Sequence, residues 1–99
     1  MKVKIHSIHF DADQKLINFV QEKVDKLDHY FDQIIDGEVF LKIDNADNNE
    51  NKIAEIKLSI PGNNLFAKKQ CKTFEEAIDS VVEALRRQIR KKKGKLNTA

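Results

Sequence analysis

Glu38-Val39-Phe40-Leu41-Lys42-Ile43 and Ala54-Glu55-Ile56-Lys57-Leu58-Ser59-Ile60 decide the fold. In both, an aliphatic residue at every second position faces one way, and the residues between, all polar except Phe40, face the other. That is the period of a strand with one buried face. Between them, residues 44–51 form a polar, acidic, Asn-rich turn, and Pro61-Gly62-Asn63-Asn64 marks a second turn. Leu65 to about Lys72 reads as a further strand, with Leu65, Ala67 and Cys71 on one face and Phe66, Lys68 and Gln70 on the other.

Upstream, residues 2–10 read as the first strand. Val3 and Ile5 alternate, then the phase slips to Ile8 and Phe10, which predicts a bulge near His6–Ser7. Asp11, with Gln14 three residues on, predicts a capped helix from about Ala12 to Tyr30. Its apolar stripe is Leu16, Ile17, Val20, Val24, Leu27 and Phe31. Thr73-Phe74-Glu75-Glu76 opens a second helix, whose stripe is Phe74, Ala77, Ile78, Val81, Val82, Leu85 and Ile89, with Gly94 placed as its C-terminal cap. The order is βαβββα. One apolar sheet face needs a cover and two amphipathic helices are available. The fold class is therefore α+β, a two-layer sandwich with a four-stranded sheet and both helices on one face. Residues 1–94 make a single domain, and 95–99 are expected to form a loose tail.

Composition narrows the function. The chain has 99 residues, 40% apolar and 34% charged, which suits one core and not disorder. No apolar run is long enough to span a bilayer, and Met1-Lys2-Val3-Lys4-Ile5 does not read as a signal peptide. One Cys cannot form an internal disulfide, so a cytoplasmic protein without a membrane association is expected. Three His and one Cys lack metal-ligand spacing, no phosphate-binding glycine loop is present, and Cys71 reads as a small buried residue. The expectation is a non-enzyme with no cofactor and no metal.

What stands out is Arg86-Arg87-Gln88-Ile89-Arg90-Lys91-Lys92-Lys93-Gly94-Lys95, in which seven of ten residues are basic. The whole chain is only +2; without those seven, 11 basic and 16 acidic side chains leave −5. The macrodipole favours cations at a helix C-terminus by about 0.3–1 kcal/mol each, enough to explain one or two. Pairs such as Arg86/Arg90 and Arg87/Lys91 repel at this spacing by roughly 0.2–0.5 kcal/mol. Such a cluster is best explained by a polyanion, with RNA the leading candidate. With Leu85 and Ile89 inward, Arg86, Arg87 and Arg90 face outward, Lys91 lies on the adjoining flank, and Lys92 and Lys93 lie past the last packed residue.

The first helix adds Lys15, Phe19, Lys23, Lys26 and Tyr30 on one flank, with Asp25 and Asp28 on the other. Basic side chains interleaved with aromatics suit phosphates and bases, although Phe19 and Tyr30 read better as the rim of the core. Lys68 and Lys72 are candidates to extend the basic surface, or simply to charge an outer strand against aggregation. The acidic turn with Asp44, Asp47 and Glu50 should point away from a polyanion.

Two segments resemble a known family, the ribosome hibernation promoting factors related to ribosome-associated inhibitor A. Lys26-Leu27-Asp28-His29-Tyr30-Phe31-Asp32-Gln33-Ile34 is similar to the family's Lys-Leu-x-x-Tyr-Phe-Asp-x-Ile. Ala77-Ile78-Asp79 and the run from Leu85 to Leu96 resemble its second motif. The resemblance implies a fold like the double-stranded-RNA-binding domain. It also implies a site in the mRNA channel of the small ribosomal subunit, overlapping mRNA and the A- and P-site tRNAs. By position, it makes Lys23, Lys26, Arg86, Arg87, Arg90, Lys91 and Lys93 phosphate contacts, with Tyr30 at a matching position; Lys92 and Lys95 join them from the basic run. The partners implied are small-subunit rRNA and a second hibernation factor, with the chain a monomer off the ribosome. Long family members carry a further domain that pairs ribosomes, and this chain resembles the short form. The family's Asp-x-Tyr is replaced by Thr73-Phe74-Glu75-Glu76, which keeps a cap and an aromatic. Two other readings share the basic surface: a general double-stranded-RNA module, and a regulator that meets an acidic protein.

Overall fold

In the computed structural model the elements are β1 (Lys2–Ser7), α1 (Gln14–Tyr30), β2 (Asp36–Ile43), β3 (Lys52–Ile60), β4 (Asn63–Cys71) and α2 (Phe74–Asn97). The structure describes residues 1–44 and 49–97, with side chains described as far as residue 92. The strands lie in the order β1-β2-β3-β4. β1 runs parallel to β2, a pairing that needs a crossover, and α1 supplies it. The β2–β3 and β3–β4 pairs are antiparallel. Between Ile60 and Asn63 the chain reverses through Pro61-Gly62, where Gly62 takes φ +78°, a left-handed value that costs glycine nothing.

Period-2 patterning puts Val39, Leu41, Ala54, Ile56, Leu58, Ile60, Leu65 and Ala67 on one sheet face, all buried. Both helices cover that face, as expected. Leu16, Val20, Val24 and Leu27 of α1 meet Phe74, Ala77, Ile78, Val81, Val82, Leu85 and Ile89 of α2 in one continuous core. The opposite face stays open: Phe66 is 52% exposed there, and the His6 ring stacks on Phe40 at 4.9 Å.

Three local expectations are corrected. β1 pairs with β2 in unbroken register from Lys2↔Asp36 to Ser7↔Leu41, so there is no bulge at His6–Ser7. The phase slips because the strand ends; Ile8 N–H still donates to the Leu41 carbonyl (2.9 Å), and His9 then turns the chain at φ +64°. The α1 cap is Asp13 rather than Asp11. Its Oδ1 accepts from Leu16 N at 2.8 Å, leaving the predicted Asp11 and Gln14 box unused. Phe10 stacks on Phe74 (4.9 Å, 7° between planes) and keeps the chain outside the helix until Asp13.

Finally, α2 does not stop at Gly94 but continues to Asn97, past the boundary expected for a tail at Lys95. Glycine costs a helix interior only about 1 kcal/mol, and the flanking lysines are good helix formers. Residues 98 and 99 of that expected tail lie outside the described residues. At the other end of α2 the predicted cap holds: Thr73 Oγ1 accepts from Glu76 N at 3.1 Å.

Candidate nucleic-acid interface

Two amphipathic helices side by side on one sheet face leave a groove between their outer edges. It encloses about 600 Å³ and is lined by Lys23, Lys26 and Tyr30 of α1 and Asp79, Glu83 and Arg86 of α2. Sequence periodicity assigned the three α1 residues to one flank, and the structure turns that flank toward α2. The basic flank of α1 and the basic run of α2 therefore contribute to one surface.

Tyr30 organises its basic end. Its ring lies half-buried at the rim of the core, as the sequence reading preferred. The Arg86 guanidinium sits 5.1 Å from the ring centroid, within cation–π range. The Tyr30 phenol oxygen accepts a hydrogen bond from Arg90, and this contact, with the Glu83 field adding to it, raises the Arg90 pKa further above its ordinary value. Arg87 points to the other side of the α2 ridge and is 73% exposed. Lys91 is exposed and Lys92 half-buried beyond Ile89, the last core residue of the helix among the described side chains. Lys93 and Lys95 lie on the helical backbone, but their side chains are outside the described residues. The helix of 24 residues is about 36 Å long.

Several of these cations have carboxylate partners that sequence reading overlooked. Lys23 Nζ lies 3.2 Å from Asp79 Oδ1, and also 5.4 Å from the Phe19 ring centroid. One Glu83 carboxylate reaches both arginines, 3.6 Å to Arg86 and 3.9 Å to Arg87. Exposed pairs of this kind are worth about 0–1 kcal/mol, so the cations can exchange onto phosphates. The spacing Glu83-x-x-Arg86-Arg87 was itself the signal, since i,i+3 and i,i+4 pairs meet on a helix.

The extension onto β4 needs correction. Lys68 shares the open sheet face with Phe66 and is paired in register with Glu55, so it looks away from the helices. Lys72 follows the last residue of the strand. Lys69 is the β4 lysine on the helix side; it shares a second, shallower groove with Ser80, Glu83, Ala84 and Arg87. Its alternation with Ala67 and Cys71 marked it for that face.

Of the acidic turn, residue 44 and residues 49–51 are described. Its described acids, Asp44 and Glu50, are tied to Gln70 near the end of β4, where α2 begins. The basic run of α2 begins toward the other end of β4, where Gln88 donates to the Phe66 carbonyl (2.9 Å). Asp47 lies outside the described residues. Among the described residues no group of three or more His, Cys, Asp or Glu could hold a metal ion, and no helix is long and apolar enough to cross a membrane.

Fold and surface together define a two-layer α+β protein that presents a cationic face from two adjacent helices. The chain belongs to the family described as Sigma 54 modulation protein / S30EA ribosomal protein, whose family model matches residues 3–97. Its relatives include the ribosome hibernation promoting factor of Pseudomonas putida, 32% identical over 96% of this chain and 89% of that protein. Another is the ribosome hibernation promotion factor of Deinococcus radiodurans, 34% identical over 82% of this chain. The chain spans 43% of the length of that relative. Among solved structures, a ribosomal subunit interface protein from Coxiella burnetii superposes with a TM-score of 0.84 over 95% of this chain and 99% of that one, at 19% identity. The N-terminal domain of Thermus thermophilus Protein Y gives 0.78 over 92% and 98%, at 23% identity. At these identities the two structures establish the shared fold.

Proposed function

We propose that this chain is a non-enzymatic translation regulator of the ribosome hibernation class. It binds small-subunit rRNA through the cationic face and blocks the mRNA and tRNA path by occupying it. The observation that carries this reading is the gathering of Lys23, Lys26, Arg86, Arg87, Arg90 and Lys91 around one pair of helices, with the described acidic turn residues held toward the other end of β4. That asymmetry orients the chain on a polyanion before contact. Membership of the family and the names of its relatives direct the polyanion reading to the ribosome. The partner is the small subunit.

The test is binding to purified small subunits across a salt series. Six phosphate contacts give log K against log salt a slope of about −4 to −5. A nearly flat dependence contradicts the phosphate reading and favours an acidic protein partner. Equal affinity for subunits and for a generic RNA duplex favours an RNA module without ribosome specificity.

A further inference from the structure

Asp79 and Glu83 sit within the basic face, one turn apart on α2, and no acid follows them in the chain. They are out of place for the usual reasons. Glu75 and Glu76 occupy the first turn of α2, where the helix dipole favours carboxylates; Asp79 and Glu83 lie beyond it. As like charges at i,i+4 they repel one another. Both line the α1–α2 groove and also the shallower groove beside β4, so they sit on the ridge that any ligand of this face must cross.

Glu83 holds Arg86 on one side and Arg87 on the other, and its field reaches Arg90. It therefore occupies the position of a phosphate between two guanidinium groups. A nucleic-acid backbone laid along the ridge meets this charge at close range, whatever its sequence. A carboxylate accepts hydrogen bonds and donates none, so what it tolerates opposite itself is a donor. In RNA the donors are the ribose 2′-hydroxyls, present in duplexes and single strands alike, and the amino and imino groups of the Watson–Crick base edges, which single-stranded loops and bulges expose and duplexes bury; only the second kind distinguishes the two.

We infer that Glu83 is a specificity-determining residue: it repels a continuous phosphate backbone and admits an RNA surface that places an unpaired base edge, not a phosphate, against α2. This rests on the proposed function and sharpens it, because it gives so basic a face a means of discriminating against RNA duplexes. Glu83 also supports the helix through its i,i+4 pair with Arg87, a role that alone would make the two RNA targets respond alike.

The experiment measures dissociation constants of wild type and Glu83→Gln for a generic RNA duplex and for purified small subunits, at one fixed salt concentration. Gln keeps the side-chain length and a good helix propensity. Removing one charge close to the backbone is expected to tighten duplex binding by about fivefold to tenfold. Subunit binding should stay unchanged or weaken, so the preference for subunits falls by at least that factor. Parallel tightening on both targets, or no tightening on the duplex, overturns the inference. The wild-type arm separates the two levels of argument: wild type that fails to bind subunits overturns the proposed function itself, before the variant is compared.

Discussion

Arg87→Glu combined with Arg90→Glu is expected to weaken binding to small ribosomal subunits by at least about a hundredfold at moderate salt, while leaving the fold intact. Each reversal removes a cation and adds an anion on the ridge of α2, so both phosphate attraction and counterion release are lost at two positions. The slope of log K against log salt should fall by roughly 2, to about −2 to −3. Both side chains are exposed and contribute nothing to the core. Their partners, Glu83 and Tyr30, remain accessible to water or held by other contacts, so the circular dichroism spectrum and a cooperative melt should be preserved. Translation inhibition by the double variant at wild-type levels would mean that the ridge is not the binding surface.

Ile89→Ala should do the reverse, costing stability and sparing the charged contacts. Ile89 is fully buried and is the last core residue among the described side chains of α2. Truncating a buried Ile costs about 2–5 kcal/mol, part of it for the cavity left behind. For a domain of this size each kcal/mol moves the melting temperature by roughly 4–8 °C, so a fall of about 10–20 °C or more is expected by calorimetry. Well below that transition, Arg86, Arg87 and Arg90 keep their places and subunit binding should be within a few-fold of wild type. A melting temperature unchanged within about 2 °C would show that the final core turn of α2 is not anchored as described.

The contrast between these variants follows from how α2 is written. From Phe74 to Ile89 its period of 3.6 specifies a buried stripe, and beyond Ile89 the described side chains add nothing to it while the helix continues. Both facts were legible in the chain. So were the four strands, the covered sheet face, and the assignment of Lys23, Lys26 and Tyr30 to one flank. The boundaries were less legible, for local reasons. Asp11 and Asp13 are equally good caps in isolation, and the Phe10–Phe74 stack selects between them. The bulge was inferred from a phase slip that a strand end followed by His9 at positive φ explains equally well. Gly94 is a weak helix breaker among lysines, and a single glycine does not decide a helix end.

For the surface, the positive charges were evident and their partners were not. Residue counts emphasise the seven cations of the C-terminal run; they do not show that Glu83 spans two of the arginines or that Asp79 reaches across to Lys23. The exchange of Lys68 for Lys69 has a similar origin. Both are basic, and only the parity of Leu65, Ala67 and Cys71 tells them apart, since a shift of one residue along a strand moves a side chain to the opposite face. Tyr30 was read as part of the core rim and as a candidate RNA contact. Its position over Arg86 and its hydrogen bond with Arg90 make it the piece that joins the packed part of the molecule to the charged part.

The central claim is occupancy of the mRNA and tRNA path, and co-sedimentation with small subunits tests it most directly. Purified chain is mixed with subunits, with and without mRNA and initiator tRNA, and the pelleted fraction is measured. The account predicts binding to bare subunits and release when mRNA and tRNA are supplied. Binding that mRNA and tRNA leave unchanged, or no binding at moderate salt, would contradict it.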